Sequence, residues 1–89
     1  GPLALDVAID MESVQIKGLV SPVAGDADCL LFPNIESGNV FYKANSKLVK
    51  GVRQAGILVG AKVPCVLSSR ADSIDTKLNS IAIAAMSVR

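Results

Sequence analysis

The chain has 89 residues, 51% hydrophobic, 3% aromatic and 19% charged, with a formal net charge of +1. That length makes one small domain, and neither the charge nor the aromatic content equips it to track nucleic acid. It contains no histidine, which excludes Ser-His-Asp and Cys-His catalysis within these residues and leaves carboxylates as the natural general bases.

No apolar run approaches the roughly 20 residues that span a bilayer. Asp6, Asp10 and Glu12 interrupt the start, so it does not read as a signal peptide. Cys29 and Cys65 fall inside apolar runs and read as buried free thiols. Without histidine they make no zinc site, and a cytoplasmic setting is expected. The apolar mass is aliphatic, which suits strands covered on both faces by helices. So much of it on so short a chain implies cover from elsewhere, either a partner subunit or the missing part of a longer protein.

Gly1 and Pro2 suit a helix start. Residues 3–16 then carry one helical period, with Leu3, Val7, Met11 and Val14 as the apolar stripe, widened by Leu5, Ile9 and Ile16. Asp6, Asp10, Ser13 and Lys17 form the wet face. Gly18 is a natural stop. Residues 21–28 read as a loop through Pro22 and Gly25-Asp26, whose aspartates make turns more often than they catalyse. Residues 29–32, Cys-Leu-Leu-Phe, read as a buried strand closed by Pro33-Asn34. Ligands of open α/β sheets bind beyond the carboxyl ends of strands, which places Asn34, Glu36, Ser37, Gly38 and Asn39 suitably. The next helix, residues 37–50, would bury Val40, Phe41, Ala44 and Leu48. It would show water Asn39, Lys43, Lys47 and Lys50, with Lys43 one turn from its start.

Residues 56–60 read as a second strand and residues 65–68 as a third. Only four residues separate them, too few for a parallel crossover, so they should form an antiparallel hairpin or bent ribbon. Lys62 would sit at the end opposite Arg70. The last helix, residues 73–88, would bury Ile74, Leu78, Ile81, Ala82, Ala85 and Met86. Asp72 is its expected N-cap, with Asp75 imitating a capping box. The expected fold is therefore α/β, with a small sheet of about three strands flanked by helices.

The chemistry concentrates where the third strand meets the last helix. Ser69 and Arg70 stand at a helix mouth, where backbone N–H groups and the dipole favour an anion, and a guanidinium can grip phosphate with two parallel bonds. This is a candidate phosphate site. The alternative reading makes Arg70 a solvated loop residue and leaves Ser69 to bond its own backbone.

Several motifs in one order then resemble the phosphate acetyl/butyryltransferases. They are Ser21-Pro-Val-Ala-Gly-Asp-Ala-Asp28, Pro33-Asn-Ile-Glu-Ser-Gly-Asn39 with Tyr42-Lys43, Val59-Gly-Ala-Lys-Val-Pro64 and Ser69-Arg-Ala-Asp72. Gly1-Pro-Leu-Ala-Leu-Asp6 fits the same family. The resemblance covers residues 1–89 but corresponds only to the C-terminal portion of a family member. Ser-Arg-Ala-Asp looks closer to the butyryl branch than to the acetyl branch.

The resemblance implies a cytoplasmic, usually oligomeric enzyme of two α/β domains. It exchanges an acyl group between coenzyme A and inorganic phosphate, in the cleft between the domains and without a prosthetic group. The missing N-terminal part would supply the other cleft wall, so these 89 residues alone are expected to be inactive. Arg70 would hold the phosphoryl group, Ser69 would hydrogen-bond it, and Gly38, Asn39 and Lys43 would complete the anion pocket. In the acetyl branch the base aspartate lies six residues beyond the arginine, where Thr76 stands here. One step along a helix turns a side chain by roughly 100°. Asp75, one residue short of that place, is therefore not an automatic substitute; it is the first candidate base, Asp72, four short, the second, and a carboxylate outside these residues the third. Acetyl transfer, or a non-catalytic assembly module, are the alternative functions.

Overall fold

The computed structural model describes residues 3–88; the helix start expected at Gly1 and Pro2 lies outside the described residues. Among the described residues there are four helices: α1 (Leu5–Ile9), α2 (Met11–Lys17), α3 (Ile35–Leu48) and α4 (Ile74–Met86). The chain divides into two compact units, Gly1–Phe41 and Tyr42–Arg89.

In the first unit the single helix expected over residues 3–16 is two. Asp10 is extended (φ −127°, ψ 117°), and its carboxylate accepts from Ser13 N (3.1 Å) and Ser13 Oγ (2.8 Å), capping α2. Those two bonds, the hydroxyl first, hold the Asp10 carboxyl below its usual range. The expected stop is where the periodicity put it, with Gly18 left-handed at φ 63°. Lys17 Nζ lies 2.8 Å from Asp6 Oδ2 and lowers that carboxyl. Both charges are half exposed, so the pair steadies the fold only modestly, above the pH at which Asp6 protonates.

Val7, Val14 and Ala24 are the small core here, with Leu3 packed against them. The loop over residues 21–28 is strapped to α1 through carbonyls that a short helix leaves unpaired at its end. Gly25 N donates to Val7 O (2.7 Å) and Ala27 N to Ala8 O (3.0 Å). Gly25 has φ 75°, and an added Cβ would meet Met11 Cε at 3.0 Å and Met11 Cα at 3.2 Å. Gly25→Ala should therefore cost about 2–4 kcal/mol, strain and overlap together. Gly51→Ala, at φ 77° with nothing within 4 Å, should cost only the strain, about 1–2 kcal/mol. Urea unfolding of the intact protein measures both, and equal costs would show that Met11 does not confine Gly25.

In the second unit a seam of side-chain hydrogen bonds fixes residues 54–56. Gln54 Nε2 donates to Tyr42 O (3.1 Å) on α3 and Gly56 N to Ser80 Oγ (3.0 Å) on α4. Ser80 is buried and passes its own proton to Thr76 O (2.8 Å).

The expected three-strand sheet is not formed. Among the described residues the only bridge is antiparallel, Leu58 with Cys65, where Leu58 N donates to Cys65 O (3.0 Å). The direction of the hairpin agrees with the sequence, but the ladder does not extend, because Gly56 N goes to Ser80 and Gly60 turns the chain at φ 96°. Among the described residues no β-bridge involves residues 29–32. An apolar run becomes a strand only when a neighbour takes its N–H and C=O groups.

The expected cores fail for the same reason. Val40 and Leu48 of α3 are 69% and 82% exposed, and Ile74 and Met86 of α4 are 77% and 84% exposed. Both cysteines are free thiols, but Cys29 is exposed rather than buried. The chain exposes 7243 Å², whereas even two separate compact units of half its mass would expose roughly 6,000 Å². The aliphatic surplus is thus uncovered surface. Among the described residues no helix is long and apolar enough to cross a membrane.

Candidate functional site

The candidate site is a tight turn in the second unit. Asp72 N donates to Ser69 O (3.1 Å), closing a four-residue turn, and Asp72 Oδ2 accepts from Ser69 N (3.0 Å). The aspartate side chain thus reaches backward into the turn. The expectation that it caps α4 is corrected by one residue: Ser73 is the N-cap, and its Oγ accepts from Thr76 N (3.1 Å) and donates to Thr76 Oγ1 (3.0 Å). A hydroxyl that can accept from one group and donate to its neighbour suits the Ser73–Thr76 spacing, and Asp72 is left for the turn.

Three residues of α3 hold this turn. Tyr42 OH donates to Asp72 Oδ1 (3.3 Å), Lys43 Nζ to Ser69 Oγ (2.9 Å), and Lys47 Nζ to Ala71 O (3.4 Å). They lie at positions i, i+1 and i+5 and share one side of the helix. The lysine stripe, expected to be solvated, is exposed along its length, yet two of its ammonium groups serve the turn. Tyr42 is partly buried. That burial, and then the Asp72 charge, push its phenol up, so it stays protonated at neutral pH and donates to the carboxylate.

Ser69 Oγ accepts from Lys43 and, weakly, from Ala71 N (3.4 Å). An ammonium has protons to give and no lone pair to receive one. Ser69 is accordingly a donor: its own proton is free for an anion, and it is not activated as a nucleophile. Arg70 is exposed and has no hydrogen-bond or ion-pair partner among the described residues. With the Ser69 hydroxyl proton it is what the turn leaves for a ligand, since both Asp72 oxygens are bonded within the second unit.

The remaining candidates sit elsewhere. Asp75 is exposed in the first turn of α4 and lines a cavity with Arg53, Gln54 and Asn79. Asp72 lines an adjoining crevice with Lys47, and Gln54 and Thr76 line both; what sets Asp72 apart is that its two oxygens are bonded to Ser69 and Tyr42. Gly38 and Asn39 belong to the first unit. The Gly38 N–H is spent on Asn34 O (3.3 Å), while Asn34 Oδ1 caps α3 by accepting from Ser37 N (2.9 Å). The residue that sequence reasoning passed over is Tyr42, quoted in a motif but given no role. It is the one tyrosine of an aromatic-poor chain, set beside Lys43, and that placement was the available signal.

Comparison with known proteins gives consistent descriptions. Residues 1–85 match the family described as phosphate acetyl/butaryl transferase. A phosphate butyryltransferase of Clostridium acetobutylicum is 54% identical over 97% of this chain, which spans 28% of that protein's length. A phosphate acetyltransferase of Rhizobium meliloti is 51% identical over 97% of this chain and 27% of its own. The crystal structure of a branched-chain phosphotransacylase from Enterococcus faecalis V583 matches 96% of this chain and 32% of its own, at 43% identity and a TM-score of 0.80.

Proposed function

The chain belongs to the phosphate acetyl/butyryl transferase family, and from that premise we propose that the intact protein is a phosphate acyltransferase of the butyryl type. It exchanges an acyl group between coenzyme A and inorganic phosphate. The reading needs no prosthetic group, since the thioester is itself a substrate, and it takes the enzyme as a cytoplasmic homo-oligomer whose cleft includes chain beyond these residues.

The observation that carries it is an Arg70 guanidinium that is unpaired among the described residues, next to a Ser69 hydroxyl whose oxygen is already occupied by Lys43. Phosphate bound there receives two guanidinium bonds and one from Ser69, with the Lys43 charge close behind. A phosphate oxygen attacks the thioester carbonyl, the tetrahedral intermediate collapses, and coenzyme A leaves as the thiolate and takes up a proton. In reverse the thiolate attacks acyl phosphate, a base receives the thiol proton, and phosphate leaves against Arg70, which offsets the growing charge. Asp75 is the carboxylate of this chain assigned to that proton, since its side chain is not committed to the turn. Gly38 and Asn39 remain candidates for phosphate binding on the family resemblance alone.

Acetyl transfer is the competing reading, because relatives of both descriptions are about equally similar. Phosphate-dependent release of coenzyme A by the intact protein decides between them. Butyryl- and isobutyryl-coenzyme A should turn over at least tenfold more efficiently than acetyl-coenzyme A, a discrimination within reach of one or two methylenes. A preference for acetyl would shift the assignment to the other branch, and no phosphate-dependent release would end it.

A further inference from the structure

We propose that Tyr42 and Asp72 form a clamp that sets the position of Ser69 and Arg70, and that Asp72 acts through this turn rather than by taking the thiol proton. The inference rests on the phosphate-site reading of Ser69 and Arg70 and adds two positioning residues to it.

The geometry assigns each Asp72 oxygen a task. Oδ2 accepts from Ser69 N (3.0 Å) and Oδ1 from Tyr42 OH (3.3 Å). The first bond works together with the return bond from Asp72 N to Ser69 O (3.1 Å), so the ends of the turn are tied twice. The second bond ties the turn to α3, whose next residue, Lys43, holds Ser69 Oγ (2.9 Å). Tyr42 is itself fixed from behind, since its carbonyl accepts from Gln54 Nε2 (3.1 Å). Between the two tied ends only Arg70 and Ala71 remain, and Ala71 O accepts from Lys47 (3.4 Å). The clamp thus fixes the backbone on both sides of Arg70 and leaves its side chain free to meet an anion. A carboxylate turned into its own loop by two donors is poorly directed at a thiol. Losing the clamp should loosen phosphate binding more than it slows the acyl transfer that follows.

The test uses the intact protein and four variants, with phosphate KM, kcat and thermal midpoint measured for each. Tyr42→Phe removes one hydrogen bond and should raise phosphate KM about fivefold, with kcat within about twofold of wild type. Asp72→Ala leaves Ser69 N unpaired and should raise KM several tens of times. Asp72→Asn, whose amide oxygen still accepts from Ser69 N, should recover most of that loss with kcat nearly intact. Arg70→Ala reports on the phosphate site itself. A lowered thermal midpoint with unchanged KM would make the clamp a folding element only and overturn the inference. So would a kcat loss of 100-fold or more in Asp72→Asn at unchanged KM, which identifies a proton acceptor. If Arg70→Ala leaves phosphate KM unmoved, the underlying phosphate-site reading fails and the clamp fails with it. If the Arg70 variant behaves as expected and Tyr42→Phe matches wild type, the clamp alone is wrong. Tyr42→Phe decides unaided should Asp72→Ala not fold.

Discussion

Arg70→Ala in the intact protein is expected to lower kcat/KM for phosphate by about 10²–10³-fold, the scale of losing two charge-assisted hydrogen bonds to the anion. Most of the loss should appear in KM. The guanidinium is exposed and has no partner among the described residues, so its removal leaves no buried carboxylate stranded there and the fold should be little affected. What disappears is a planar pair of donors matched to two phosphate oxygens. Arg70→Lys should recover only part of the activity, because an ammonium supplies the charge without the fork. Initial rates of coenzyme A release across a phosphate titration measure this. A variant whose phosphate KM stays near wild type would refute the assignment.

The second large effect is expected at Lys43. Its ammonium does two things at 2.9 Å from Ser69 Oγ: it occupies the lone pairs of that oxygen, and it adds a positive charge beside the anion. Lys43→Met keeps the length of the side chain and loses both, so kcat/KM for phosphate should fall by about 10–100-fold, as for a charge-assisted bond. Freed from the lysine, the Ser69 hydroxyl can turn its proton away from phosphate. Ser69→Ala made in the same background should then add little, because the two side chains act on phosphate as a unit. Fully additive losses would show that Lys43 acts as a distant charge alone.

Local chemistry was legible in the sequence and tertiary pairing was not. Gly18 stops α2 where periodicity put it, and α4 begins within one residue of its expected start, since caps depend on neighbours three residues away. The capping roles were less exact. Asp10 with Ser13 carries a capping signature, but the apolar stripe runs unbroken past it, so the sequence reads as one long helix with Asp10 on its wet face. Asp72 was given the cap that Ser73 takes, since an aspartate and a serine in adjacent positions compete for the same role. The strands were misread on different grounds. Residues 29–32 and 56–60 have the composition of buried strands, but a ladder is a property of two segments, and among the described residues the one β-bridge joins Leu58 to Cys65. The exposed Val40, Leu48 and Ile74 tell the same story for the helices, whose apolar stripes were seen correctly and whose cover was not. At the candidate site the sequence singled out Ser69, Arg70, Lys43 and Asp72 as candidates, and in the structure hydrogen bonds link Lys43 to Ser69 and Asp72 to the turn. It could not show that Lys43 reaches Ser69 across 26 positions, or that Tyr42 joins Asp72 across 30.

The central claim is that phosphate is held between the Arg70 guanidinium and the Ser69 hydroxyl. A crystal structure of the intact protein grown with phosphate tests it directly. The expected result is one phosphate with two oxygens about 3 Å from the guanidinium nitrogens and a third at hydrogen-bond distance from Ser69 Oγ. Phosphate bound away from this turn, with Arg70 paired to a carboxylate, would contradict the account.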